Sequence, residues 1–164
     1  MSDILFHTEN YVFSYRVAGI FLRDGKILLQ KTSAGTEFAL PGGHVMLGET
    51  TAQTLEREFA EEIGADISVG QLKWVEEVFW KWGDKPCHQI CLYYDVSLKN
   101  EAQIPLDDMF LSKEYNEKRN YMIEFHWMPR EKLEHIKVYP VNIAQLIKRY
   151  NDGVQHFVYR EDGI

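Results

Sequence analysis

Cysteine and proline are both sparse in this chain, and basic residues are outnumbered by acidic ones. Its two cysteines, Cys87 and Cys91, would lie on one face of a strand about 13 Å apart, too far to bridge. Both read as reduced residues of the core or of a strand edge. Eighteen Lys and Arg stand against 25 Asp and Glu, a formal net charge of −7. That balance argues against nonspecific binding to nucleic-acid polymers or to an anionic membrane, which rest on basic patches. A polyanionic substrate would need a cation to bring it in. Long hydrophobic runs are also missing: stretches such as VAGIFL (17–22) fall far short of the roughly 20 residues of a membrane helix. The start, MSDILFHTEN, lacks the charged-then-apolar pattern of a signal peptide, so the expected location is cytoplasmic. With no repeat, low-complexity tract or Pro/Gly/Ser linker, residues 1–164 read as one domain. The 45% hydrophobic content suffices for a single buried core.

What is present reads as alternating strands and helices. Residues 11–31, YVFSYRVAGIFLRDGKILLQK, contain two apolar, β-rich runs around Asp24-Gly25, a hairpin signal. TEFALPGGH (36–44) reads as a short strand broken by Pro41-Gly42-Gly43, where the backbone can turn sharply or approach a ligand. A helix should follow, with Thr50 and Gln53 as a capping box and Gly64 just past its last turn. Two longer strands, DISVGQLKWVEEVFW (66–80) and KPCHQICLYYDVSL (85–98), flank Gly83-Asp84, a second hairpin. Residues 99–120 are polar and acidic enough for a long surface loop. YMIEFHWMP (121–129) resembles another strand. A closing amphipathic helix is expected over about 140–151, with Val141, Ile143, Ala144, Leu146 and Ile147 as its apolar anchors. Mixed strands with two or so helices imply an α+β or α/β/α layered domain.

The central helix carries an unusual load of acid. With Ala52 at zero and about 100° per residue, Leu55, Phe59 and Ile63 fall at about 300°, 340° and 20°, a buried stripe. Glu58, Glu61 and Glu62 fall at about 240°, 180° and 280°, an arc bordering the core in which like charges repel. Arg57, at about 140°, can neutralise only part of that charge. Three glutamates alone would describe a solvated face. Context points further: a Gly-Gly turn precedes the helix, Glu49 stands at its threshold, and the Gly43 carbonyl is free to approach a metal or phosphate. Mg²⁺ takes such hard oxygen ligands, through one or two carboxylates plus substrate phosphates.

Gly43, five residues, Glu49, seven residues, then REFAEEIGA from Arg57 to Ala65 resembles the Nudix hydrolase box. Every charged and glycine position of that pattern is matched; Phe59 and Ala65 stand where the family usually has a bulky aliphatic residue. RVAGIFLRDGKILLQK, FALPGGHV and EFHWMPREKL resemble the family's opening hairpin, the lead-in to the box and a late strand and turn. The resemblance implies an α/β/α sandwich with a mixed β-sheet and Mg²⁺-dependent hydrolysis of a nucleoside diphosphate linked to another moiety, Mn²⁺ being a substitute ion.

Carried over by position, the resemblance makes Glu58 and Glu62 the main metal ligands. Glu61 would bind a further ion or activate water, Glu49 and the Gly43 carbonyl would complete the metal shell, and Arg57 would orient the carboxylates. Candidates for the general base are Glu61, Glu124 and the loop acids Asp107, Asp108, Glu114 and Glu117. His44, Trp80, Trp82 and Glu124 are candidate substrate-binding residues, since stacking on rings is worth roughly 1–3 kcal/mol per base. Cys87, His88 and Cys91 lack a fourth ligand for zinc. FWKWGD after the box has neither the proline of the family's ADP-ribose hydrolases nor the tyrosine of its dinucleoside-polyphosphate hydrolases. A nucleoside triphosphate, ordinary or oxidised, cleaved to a monophosphate and pyrophosphate, is the favoured substrate by elimination. ADP-ribose, a nucleotide sugar or a dinucleoside polyphosphate is the alternative, and a regulatory domain that binds nucleotide or sugar phosphate without cleaving it is the competing class. Homodimerisation is left open.

Overall fold

A computed structural model describes residues 2–105, 107–116 and 121–164, without the side chains of 114–116. The first strands are β1 (Leu5–His7), β2 (Val12–Ile20), β3 (Leu22–Arg23) and β4 (Lys26–Thr32). β5 (Phe38–Ala39) and β6 (Gly42–His44) then lead into helix α1 (Thr51–Glu58), which continues as a π-helical turn over Phe59–Ile63. The long hairpin β7 (Ile67–Trp82) and β8 (Lys85–Leu98) follows, then β9 (Met109–Asn116), β10 (Tyr121–Pro129), β11 (Val138–Tyr139), helix α2 (Ile143–Lys148) and β12 (Gln155–Arg160). Among the described residues the strands form two six-stranded sheets, one ordered β1-β2-β8-β7-β12 with β6 on β2, the other β11-β5-β4-β10-β9 with β3 on β4. The first is mixed, since β2 runs parallel to β8 and β12 parallel to β7 while β7 and β8 are antiparallel.

Alternation along the central strands decides where the helices sit. Val17 of β2 and Leu28 of β4 join Leu55, Phe59 and Ile63 in one core. Their neighbours Ala18, Ile20, Ile27 and Leu29 join Ile143, Ala144 and Leu146 of α2 in another. Successive residues of a strand point to opposite faces, so α1 and α2 cover opposite sides of the strand layer, giving the expected α/β/α sandwich in one domain. No helix among the described residues is long and apolar enough to cross a membrane. Cys87 and Cys91 are both buried and unpaired.

The two hairpin turns occur where expected. Asp24 and Gly25 turn at φ +47° and +78°, and Trp82 pairs with Lys85 across Gly83-Asp84. Three expectations are corrected. The run 11–23 does not form one hairpin arm: β2 pairs with β8 in the first sheet, while β3 and β4 belong to the second. Residues 99–120 are not a plain loop, because a 3₁₀ turn at Glu101–Gln103 and β9 fill much of the segment; β9 is legible only once β10 is there to pair with it. The closing helix is shorter than 140–151, and the chain goes on into β12, whose residues Gln155–Arg160 alternate between half-buried and exposed along the outer edge of β7.

α1 starts as its cap dictates. The Thr50 hydroxyl accepts from the Gln53 amide at 3.2 Å and Gln53 Oε1 accepts from the Thr50 amide at 2.8 Å, satisfying two of the helix's free donors. Thr50→Ala is expected to lower unfolding stability by about 1 kcal/mol, read from urea denaturation.

Candidate active site

The site is assembled where β6 passes under the end of α1. Gly43 lies opposite Val17 on β2, and the Glu58 side chain crosses directly over it. A Cβ on Gly43 would stand 2.2 Å from Glu58 Cδ and Oε1, so only glycine lets the carboxyl reach this position. Beyond Glu58 the helix widens: the Gly64 amide donates to Phe59 O at 2.9 Å, the five-residue spacing of a π-turn, and Gly64 at φ +74° ends it. The wheel of a regular α-helix therefore stops applying at Phe59. β9 supports the widened turn, since Ser112 Oγ donates to the Glu62 carbonyl at 3.0 Å.

Arg57 does more than its position on the wheel suggests. Its Nε and one terminal nitrogen donate to both oxygens of Glu49, at 3.0 and 3.2 Å. Its other terminal nitrogen donates to Glu58 Oε1 at 2.7 Å and to Glu61 Oε2 at 3.2 Å. Thr54 Oγ1 adds a hydrogen bond to Glu49 at 2.9 Å. The guanidinium, then Thr54, holds the Glu49 carboxyl below its usual range, while burial raises that of Glu58 although Arg57 opposes the shift. Glu58 is thus a carboxylate whose desolvation is not fully offset by Arg57 and the nearby charge of Arg16.

Glu58 and Glu62 line a cavity of about 360 Å³ together with Gly43, His44, Arg16 and Lys31. Glu49 and Glu61 do not line it; they are bound to Arg57. Among the described residues no group of three or more His, Cys, Asp or Glu side chains is arranged to hold a metal ion by itself. The donors that remain at the cavity still suit Mg²⁺, an ion bound by one or two carboxylates with water and phosphate oxygens supplying the rest.

The other expected residues fall in different places. His44 lines the cavity, and its Nε2 lies 3.1 Å from Ser14 Oγ, which itself donates to Gln89. Burial, with the Arg16 charge beside it, lowers its pKa to about 4, so the ring is neutral at pH 7 and donates Nε2–H to Ser14. Trp80 lines a second, larger cavity. Trp82 lines neither, packing instead against Trp80, His44 and His7. Glu124 is taken up by Lys31 at 2.6 Å and His126 at 3.0 Å, which hold its carboxyl low. Asp108 pairs with Lys26, four residues along β4 from Gln30 of the cavity wall, a separation of about 13 Å at roughly 3.3 Å per strand residue. The Glu114 side chain and Glu117 lie outside the described residues.

Sequence reasoning missed Arg16 and Lys31. Arg16 donates to the Gly42 carbonyl at 3.3 Å and lines both cavities. Its signal was there to read: a lone cation inside the apolar strand VFSYRVAGI.

Fold and box together define the class, a Nudix pyrophosphohydrolase. The chain belongs to the NUDIX domain family, whose model matches residues 14–150. Solved structures with the same fold include a mutator MutT protein from Bacillus halodurans, 14% identical, with a TM-score of 0.63 over 91% of this chain and 92% of that one. A UDP-X diphosphatase is 15% identical, with a TM-score of 0.62 over 95% of this chain and 69% of that one. An ADP-ribose pyrophosphatase from Streptococcus suis 89-1591 is 13% identical, with a TM-score of 0.55 over 90% and 98%. At these identities the similarity concerns the fold.

Two measurements probe this geometry. Because the folded Glu49 pKa lies below its ordinary value of 4.5, its pairing stabilises the fold fully above that pH and is lost as pH falls through the folded value. The stability gap between wild type and Glu49→Gln should accordingly be widest above pH 4.5 and close on acidification, as followed by thermal unfolding. Gly43→Ala must push the Glu58 carboxyl aside, and hydrolysis should fall by about tenfold or more, the scale of lost positioning contacts, with circular dichroism unchanged.

Proposed function

We propose that the chain hydrolyses the P–O–P linkage of a nucleoside diphosphate derivative, with a nucleoside triphosphate, ordinary or oxidised, as the favoured substrate and a monophosphate and pyrophosphate as products. The observation that carries this reading is the adjacency of two cavities that share part of their walls. The smaller, acid-lined one shares Arg16, Gln30, Glu37 and Ala39 with a neighbour of about 570 Å³ walled by Trp80, Tyr93, Tyr139 and Tyr159. One end suits a charged phosphate chain and the other a flat ring.

In this reading Glu58, Glu62 and the Gly43 carbonyl hold Mg²⁺, with Mn²⁺ as a substitute. When bound, the ion supplies neutralisation of the diphosphate and acidification of an attached water. Arg16 and Lys31 bind phosphate oxygens from the cavity wall. Arg57 fixes the rotamers of Glu49, Glu58 and Glu61, so Glu49 acts on the metal site through the guanidinium. Glu61, more exposed than Glu49 or Glu58, is the proposed proton acceptor. Glu124 is less suited to that role, because the hydrogen bonds from Lys31 and His126 occupy it and lower its basicity. His44, neutral and fixed on Ser14, adds no positive charge and shapes the wall beside the phosphates.

The test is phosphate and pyrophosphate release, with Mg²⁺, across nucleoside triphosphates, nucleotide sugars, ADP-ribose and dinucleoside polyphosphates. Glu58→Gln and Glu62→Gln are expected to reduce turnover by more than about 100-fold, beyond the range seen for groups that only support a metal ligand. Rates equal to wild type would remove both from the mechanism. Absence of release from every compound would favour a binding domain.

A further inference from the structure

The larger cavity contains a group that the chemistry at the phosphates does not use. On β7 the residues Trp74, Glu76, Val78 and Trp80 share one face, and three of the four have large apolar side chains. Trp74 is fully buried in the core, whereas Val78 and Trp80 line the cavity. Glu76 stands in the same row, 3% exposed, and lines the cavity as well.

A carboxyl in such a place is costly unless something engages it. No cation does so among the described residues: its one hydrogen bond comes from Tyr93 Oη, which donates to Oε2 at 2.5 Å. Tyr93, 5% exposed, faces the same cavity from β8. Glu76 Oε1 accepts no hydrogen bond among the described residues. For packing alone, leucine would serve in that row. A carboxyl with one oxygen fixed by a phenol and the other unengaged is instead a preset partner for a ligand.

We propose that Glu76, held by Tyr93, reads the hydrogen-bonding edge of the substrate's nucleobase and so determines which base the enzyme accepts. The inference rests on the reading of the two cavities as one substrate site. A buried carboxyl repels phosphate, so the group that meets it is a neutral heterocycle, and Trp80, Tyr139 and Tyr159 offer ring faces around it. Burial pushes the Glu76 pKa up to about 7, against the pull of the Tyr93 hydrogen bond. Near neutral pH its unengaged oxygen is thus able to donate to a ring nitrogen or carbonyl, or to accept from an N–H. A site that hydrogen-bonds a substrate group strongly rejects analogues lacking it, because the buried group is then left unpaired.

The experiment uses methylene-bridged, non-hydrolysable triphosphates of adenine, guanine, cytosine and uracil nucleosides, titrated calorimetrically with Mg²⁺ into wild type, Glu76→Gln and Tyr93→Phe. Wild type is expected to separate its best base from its worst by about tenfold or more in Kd, and Glu76→Gln to reduce that ratio to within about threefold or to reorder the bases. Thermal unfolding checks that each variant is folded, and should Glu76→Gln fail that check, Tyr93→Phe, which keeps the ring, must still alter the ratios. Equal affinities in wild type, or variants that shift all four bases by one common factor, would overturn the assignment. Parallel hydrolysis of the parent nucleotides separates the two readings. Base-selective binding without hydrolysis defeats the enzymatic reading alone, and hydrolysis without base selection defeats this one alone.

Discussion

One guanidinium holds the acidic helix together. Arg57 bonds Glu49, Glu58 and Glu61 at once, and without it carboxylates three and four residues apart would repel one another across a partly buried surface. A planar fork of five donors can satisfy several carboxylates in fixed directions, which a lysine cannot. The clamp therefore fixes three acids at once: Glu49, Glu58 and Glu61 all bond the arginine, and of these only Glu58 also lines the cavity, where Glu62 joins it.

Each acid owes its place to a different part of the fold. Glu58 reaches its position because Gly43, on another strand, has no side chain to obstruct it. Glu62 sits in the π-turn, and its carbonyl is met by Ser112 of β9, so a segment that reads from sequence as a long acidic surface loop supports that turn from behind. Lys31, which faces the cavity, is tied to Glu124 across the β4–β10 pairing. The smaller cavity is thus lined from both sheets, and the larger one is cut into the first sheet and its border with the second.

Much of this was legible in advance. The box, the hairpin turns, the capping box and the buried stripe Leu55, Phe59 and Ile63, now 0%, 1% and 4% exposed, all express periodicity or local turn chemistry, which operate over a few residues. The errors share one cause. Periodicity reports that a face of an element is covered but not by what, so β2 was read as the partner of β4 when it lies beside β8. β9 and β12 were missed because the pairing that makes them strands comes from residues distant in sequence. Arg16 and Glu76 passed unnoticed for the same reason: each is a single charged residue in an apolar row, and its meaning depends on the cavity it borders.

The amino-acid order alone determined the reaction class, because the spacing of glycine, arginine and glutamates is a local property that fixes which donors one loop and one helix can offer. Only the tertiary structure decided which carboxylates line the smaller cavity, which cations line it with them and which buried acid borders the larger one. Those choices depend on contacts between strands far apart in the chain. A guanidinium that meets three carboxylates at a cavity and a buried acid at a cavity wall exist only once the sheets have closed around them.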